Sequence, residues 1–349
     1  MNQYDSFLAK KSVTDPDTGM TDIPDLNPML FEYQRDIVRW ALRRGRAGVY
    51  ADCGMGKGPI AMEWANRQPH ECIISAPLAV AHQFVREAQK FGSDLAYAKD
   101  HSQITKRITV TNFERLENFH LEQFGAVAQD ESSILKNASG AYCNWAIDAF
   151  KGTPFRLCLS ATPAPNDVME IGTQAEFLGV MTRGEMLAMY FTHDGGDTSK
   201  WRVKGHAKKA FWEWLASWAV MLRKPSDLGY SDEGFILPPL LMHEQCVKVN
   251  HAQQGYLFAM EAQTLLERQA ARRDSIDDRV KACAEIVNST DRPFLVWCNL
   301  NAESEALTKA INGAVEVRGS DSDDHKEQAI AGFIDGSIRV IVSKPRIVG

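Results

Sequence analysis

The sequence predicts an α/β fold of two lobes, each a mostly parallel sheet with helices on its faces. Three observations carry this. Short apolar runs alternate with helical patterns from about residue 30 onward, the order that parallel crossovers require. A glycine-rich turn, Ala51 to Pro59 (ADCGMGKGP), stands between the end of one apolar run, Ala47–Tyr50 (AGVY), and a helical pattern, IAMEWANR. The residues with chemical potential fall just after the apolar runs, where such sheets bind ligands.

The length of 349 residues is enough for two domains of ordinary size. A hydrophobic share of 44% and a charged share of 24% are those of a globular protein, and the net charge of −6 rules out a wholly basic surface but not a local basic groove. No apolar run nears the roughly 20 residues that cross a bilayer, and the polar N-terminus has no signal-peptide core, so no membrane partner is expected. The seven cysteines are scattered without a C-x-x-C pair, and no His/Cys spacing matches a zinc site; reduced thiols and a cytoplasmic location are expected.

In chain order, residues 1–28 lack periodicity and read as a tail or extended lead-in. Phe31–Leu42 is helical, with Ile37, Val38 and Leu42 inward. After the glycine turn and its helix come a strand at Glu71–Ala76, a helix from Pro77 to Phe91, a short strand at Leu95–Ala98, and strands at Arg107–Thr111, Ala126–Gln129 and Phe155–Leu159. Residues 180–235 form a basic and aromatic helical segment. Phe211, Trp214, Leu215, Trp218 and Leu222 keep helical spacing and belong to a core. Lys200, Arg202, Lys204, Lys208, Lys209, Arg223 and Lys224 are open to phosphate contact or simply solvated. Leu237-Pro238-Pro239-Leu240 is a rigid connector, which puts the lobes at 29–240 and 241–349. The second lobe reads as a helix through about 253–287, then strands at Phe294–Cys298, Ala314–Val317 and Arg339–Val342, with helices at Ala302–Ile311 and Asp324–Phe333.

The glycine turn fits a phosphate. Small residues let backbone amides turn inward on phosphate oxygens, the helix N-terminus adds positive potential, and Lys57 reaches the outer phosphates. Cys53, Gly54, Met55, Gly56, Lys57 and Gly58 are the candidates here. The full pattern G-x-x-x-x-G-K-[ST] has glycine where Ala51 stands and a hydroxyl residue where Gly58 stands. That hydroxyl normally ligates Mg²⁺, so its ligand is lost or replaced. An ordinary strand-to-helix turn is the plainer alternative. Asp130 and Glu131 end a buried strand, where two carboxylates are costly unless a cation compensates them. Asp130 would hold Mg²⁺ directly or through water, and Glu131 would orient or deprotonate a water. Ser160 and Thr162 (SATP) offer hydroxyls at the next strand end, or merely turn chemistry. Gln34 has an amide able to pair with an adenine edge, although a lone helical glutamine is more often a surface residue.

Taken in order, these pieces resemble a superfamily 2 helicase or translocase, nearest the Swi/Snf-like branch as found in bacteriophages. Tyr33-Gln34 resembles the adenine-reading element and ADCGMGKG resembles motif I. SAPLAVAHQF, TNFERL, DESSILKN and SATP resemble motifs Ia, Ib, II and III. LVWCNLNAESEAL resembles motif IV, and VIVSKPRIVG the opening of motif V. The resemblance spans residues 30 to 349. It implies two RecA-like P-loop NTPase lobes, the second incomplete, with ATP and Mg²⁺ as cofactors. It also implies a nucleic-acid track (DNA ahead of RNA) and leaves room for a protein partner. Asp130 and Glu131 would be catalytic, Ser160 and Thr162 would couple hydrolysis to movement, and Pro77, Thr111, Asn112 and Asn299 would touch nucleic acid.

Two departures bear on activity. Gly58 stands in place of the expected threonine, and the sequence stops before motif VI, whose arginine would stabilise the transferring phosphoryl group. The expectation from both is weak ATP binding and poor hydrolysis. The second reading is a non-catalytic nucleic-acid or protein-binding module with a degenerate ATP site. A third, a small-molecule P-loop kinase, is opposed by SATP and the second lobe.

Overall fold

The computed structural model describes residues 17–194, 197–247 and 264–347. The residues before 17, the part before residue 264 of the helix expected at about 253–287, and the end of the motif V stretch lie outside the described residues. The chain divides into two compact units, Met1–Leu237 and Pro238–Gly349.

The first unit is built on a seven-stranded sheet. In chain order it contains α1 (Glu32–Arg44), β1 (Arg46–Ala51), α2 (Lys57–Arg67), β2 (Cys72–Ala76), α3 (Leu78–Phe91), β3 (Leu95–Tyr97) and β4 (Ile108–Asn112). There follow β5 (Ala126–Asp130), α4 (Ala141–Ala149), β6 (Phe155–Leu159), α5 (Ile171–Leu178), α6 (Arg183–Tyr190), a hairpin of β7 (Phe191–Asp194) and β8 (Asp197–Val203), α7 (Lys208–Trp218) and β9 (Ala219–Leu222). The spatial order is β3-β4-β2-β5-β6-β1-β9, and every neighbouring pair is parallel. Helices cover both faces over two apolar clusters, so the central strands are buried on both sides and read as continuous apolar runs.

Residues 18–30 are not a free tail. The amides of Thr18, Gly19 and Met20 donate to the carbonyls of Arg44, Arg43 and Leu42, which satisfies the last turn of α1, and Leu26 and Leu30 enter the core. Nor is the 180–235 segment wholly helical. Phe211, Trp214, Leu215 and Trp218 are buried on α7 as expected, but the helix stops at Trp218. Leu222 is buried on β9, which pairs with β1 through Gly48↔Ala219 to Ala51↔Leu222.

The second unit holds α8 (Leu265–Asp274), α9 (Ile276–Asn288), β10 (Phe294–Trp297), α10 (Asn301–Ala310), β11 (Ala314–Val317), α11 (Asp323–Asp335) and β12 (Val340–Ser343). Its sheet runs β10-β12-β11, all parallel. Both units are therefore α/β with parallel sheets, as the sequence predicts. Among the described residues no helix is long and apolar enough to cross a membrane, and the seven cysteines are unbridged.

The ends of the strands opposite the site are pinned by arginines that collect helix-end carbonyls. Arg107, just before β4, donates to the carbonyls of Gln68 (2.8 Å), His70 (2.9 Å), Ala65 (3.3 Å) and Asn66 (2.8 Å) at the C-terminus of α2. A guanidinium there supplies both donors and the charge that a helix C-terminus favours. In the second unit Arg339 caps α9 through the carbonyls of Val287 and Thr290. Replacing Arg107 with alanine is expected to destabilise the first unit by about 3 kcal/mol, since several charge-assisted bonds are lost and their acceptors stranded. Urea unfolding measures this; a change below about 1 kcal/mol would contradict the capping role.

Candidate active site

β1 ends at Ala51 and α2 begins at Lys57, with the glycine loop between them. Gly54 (φ 83°) and Gly56 (φ 76°) both take left-handed backbone, which side chains resist. Gly56 is doubly required, because a Cβ there would lie 2.2 Å from Gln34 Nε2. The first turn of α2 has no side-chain cap and no acidic residue, so its amides are left for an anion. Lys57 Nζ donates to Ala51 O at 3.1 Å, folding the ammonium back over its own loop.

The loop is braced from behind by α1. Tyr33 Oη and Gln34 Nε2 both donate to Met55 O, at 2.9 Å and 3.2 Å, and Gln34 Oε1 accepts from Phe31 N at 3.0 Å. Gln34 is 4% exposed. The sequence expectation of an amide open to adenine is therefore not met here: both ends of that amide hold backbone. Cys53 and Gly54 are exposed at the loop tip, and Met55 is buried beneath it.

Asp130 is the last residue of β5, two strands from β1 in the sheet. It is 4% exposed, and its Oδ1 has no hydrogen-bond partner. Burial, and then the neighbouring Glu131 charge, push its carboxyl up to about 7, while Lys57 pulls the other way. Glu131 follows with φ 52°, the one non-glycine residue with positive φ among the described residues. Strain of this kind needs surrounding structure to hold it.

That structure comes from the loop after β6. Ser160 Oγ donates to Glu131 Oε2 at 3.3 Å and accepts from Thr162 N at 3.1 Å. Ser132 Oγ donates to Gln174 Oε1 at 2.7 Å, and Gln174 Nε2 donates to Pro163 O at 2.6 Å. Gln174, on α5, thus ties the two strand-end loops together from a fully buried position. Sequence reading missed it; the signal was an amide in the apolar stretch IGTQAEFL.

Lys57, Gly58, Asp130 and Glu131 line one cavity of about 490 Å³, which also takes in Gln83 and Glu87 from α3. Asp130 lines this cavity and carries an unpartnered buried carboxylate oxygen, a group whose desolvation a divalent cation would offset. Among the described residues no group of three or more His, Cys, Asp or Glu side chains forms a metal cage. Mg²⁺ does not require one, since it keeps waters and takes phosphate oxygens.

The residues expected on nucleic acid fare differently. Pro77 is half-buried at the start of α3. Thr111 is fully buried on β4, an interior strand, and Asn112 is buried with both ends of its amide engaged: Oδ1 accepts from Tyr97 Oη and Nδ2 donates to Glu114. Their side chains are not surface contacts, contrary to the expectation. Asn299 is exposed after β10 in the second unit.

A glycine loop between the first strand and helix of a parallel sheet stands across one strand from the buried Asp130 and the half-buried Glu131, a RecA-like α/β arrangement. This is the fold class that the resemblance to superfamily 2 implies. No protein-family model matches the chain, and no curated protein matches it in sequence. Among solved structures, the chain is similar to the SWI2/SNF2 ATPase core of Sulfolobus solfataricus in complex with dsDNA. The TM-score is 0.49 and the identity 15%, over 93% of this chain and 79% of that one. It is also similar to the UvsW helicase of bacteriophage T4, with TM-score 0.35 and 17% identity, over 51% of this chain and 63% of that one. The match thus spans less than two thirds of that helicase. At these values neither likeness transfers residue roles or an activity.

Asp130 gives the site a pH signature. Its folded carboxyl titrates near 7, above an unfolded value near 4, so in the absence of metal its ionisation costs stability. That cost is absent below about pH 4, grows as the pH rises and is complete above about pH 7. Asp130→Asn is therefore expected to stabilise the metal-free protein at pH 8 by up to about 4 kcal/mol, with the gap closing towards pH 4. Urea unfolding in EDTA across this range tests it; a pH-independent gap would contradict the assignment.

Proposed function

We propose that this chain is a nucleic-acid-stimulated ATP hydrolase of the helicase or translocase kind, moving on or remodelling a duplex, with DNA ahead of RNA as its track. The observation that supports this most is Asp130, a buried carboxylate with an unpartnered oxygen, in one cavity with Lys57 and the uncapped start of α2. The loop amides and Lys57 hold the outer phosphates. Asp130 holds Mg²⁺, which when bound neutralises phosphate charge. Glu131 takes the proton of the attacking water. Ser160 engages Glu131 Oε2, which leaves Oε1 to face that water. Ser160 joins this carboxylate to the loop after β6, and Gln174 joins the neighbouring Ser132 to Pro163 of the same loop, so a change at the phosphates reaches that loop through hydrogen bonds. The nucleic-acid half of the proposal rests on the order of the motifs along the chain.

Gly58 favours a second reading, a binding module with a lapsed ATP site, because the usual hydroxyl ligand is missing there. Measuring ATP hydrolysis with and without duplex DNA, single-stranded DNA and RNA separates the two. The proposal expects stimulation by duplex DNA, reduced about 100-fold or more by Lys57→Ala and by Glu131→Gln. Nucleic-acid binding with no hydrolysis under any condition would select the second reading.

A further inference from the structure

The glycine after Lys57 removes a side-chain oxygen from the place where a phosphate-bound cation needs one, and the structure shows what faces that place. A Cβ built on Gly58 meets no backbone; its nearest neighbour is Glu87 Oε2, at 3.8 Å, followed by the edge of the Phe84 ring at 4.0 Å. Glu87 lies on α3, far from the glycine loop in sequence, and lines the same cavity as Gly58, Lys57, Asp130 and Glu131. Its Oε1 accepts from Gln83 Nε2, one turn earlier on the same helix, at 2.8 Å. That bond orients the carboxylate, and Oε2, the oxygen nearest Gly58, accepts no hydrogen bond among the described residues.

Resting on the nucleotide-site reading above, we propose that Glu87 replaces the missing hydroxyl as the second protein group on the Mg²⁺ of the nucleotide. It would act with Asp130, directly or through a metal-bound water. The chemistry is consistent. Mg²⁺ at a nucleotide is held by one or two carboxylates, waters and phosphate oxygens, so a carboxylate on a neighbouring helix can stand in for a hydroxyl on the loop. Three carboxylates, Asp130, Glu131 and Glu87, share the cavity with Lys57 and the more peripheral Lys90, an excess of negative charge that a dication offsets. Asp130 Oδ1, buried and without a hydrogen-bond partner, is independently a carboxylate oxygen of that lining which the protein leaves unsatisfied. The absence of a side chain at Gly58 leaves Glu87 Oε2 facing the start of α2. The competing account is that Glu87 only complements the positive N-terminus of α2, where a carboxylate is favourable by itself. In that case it occupies the anion site and opposes phosphate binding.

The test is equilibrium binding of a methylanthraniloyl-labelled ATP to the full chain, in Mg²⁺ and in EDTA, for the unsubstituted protein, Glu87→Gln, and Glu87→Gln combined with Gly58→Thr. The proposal expects affinity in EDTA to change less than twofold in Glu87→Gln, and affinity in Mg²⁺ to fall about tenfold or more. The added threonine, whose Cβ meets no backbone, is expected to recover most of that loss. A Mg²⁺-dependent gain that survives Glu87→Gln overturns the proposal, as does tighter binding by that variant in EDTA, which would identify Glu87 as a helix-end anion. Failure of the unsubstituted chain to bind the labelled ATP in either condition overturns the nucleotide-site reading itself, and this inference with it.

Discussion

Asp130 ends a strand that is buried on both faces, and one of its oxygens has no hydrogen-bond partner, so its ionised form is left uncompensated by the protein. Ionising a carboxylate in such surroundings is expensive, which is why its titration is displaced to about 7. The surroundings are arranged to meet that cost when a ligand arrives. Lys57 stands across the cavity, the first turn of α2 presents amides without a competing acid, and Glu131 is held in a left-handed backbone beside it. Without a buried carboxylate at this position, neither the strain at Glu131 nor the uncapped helix would have a compensating purpose.

The rest of the first unit keeps these groups in register. The glycine loop is a strand-to-helix turn that would collapse into other conformations if left alone. Tyr33 and Gln34 fix it by their two bonds to Met55 O, and α1 is itself finished by the lead-in segment around Gly19. On the other side of the cavity, Ser160 and Gln174 connect the loops after β5 and β6, so the carboxylates do not move independently of the SATP turn. At the opposite ends of the strands, Arg107 ties the end of α2 to the start of β4. The helix that carries Lys57 is thereby held at both ends.

Strands buried on both faces were the most legible elements, because an unbroken apolar run of about five residues bounded by polar turns has few other uses. Phe155–Leu159 coincides residue for residue with the observed strand, and so does the half-buried edge strand Ala314–Val317. The failures share a cause. Leu222 continues the helical spacing of Phe211, Trp214 and Trp218, but main-chain pairing with β1 at the sheet edge outweighs the periodicity. α4 and α5 are eight or nine residues long, too short for a pattern to emerge. Lys57, Asp130 and Glu131, which the sequence singles out by spacing, lie around one cavity, and Ser160 bonds Glu131. Gln34 was found, but nothing in a sequence says that its amide will hold Met55 O and Phe31 N. Gln174 and Glu87 were invisible for the complementary reason: each gains its importance from proximity across the sheet or between helices, and neither sits in a motif.

The central claim is that the glycine loop and the carboxylates of β5 form one nucleotide and metal site. It is tested most directly by determining the structure with an ATP analogue and Mn²⁺ and locating the metal from its anomalous scattering. The account predicts one Mn²⁺ peak beside Asp130, with the outer phosphates against Lys57 and the start of α2. A nucleotide bound elsewhere, or phosphates on the loop with the metal remote from Asp130, would contradict it.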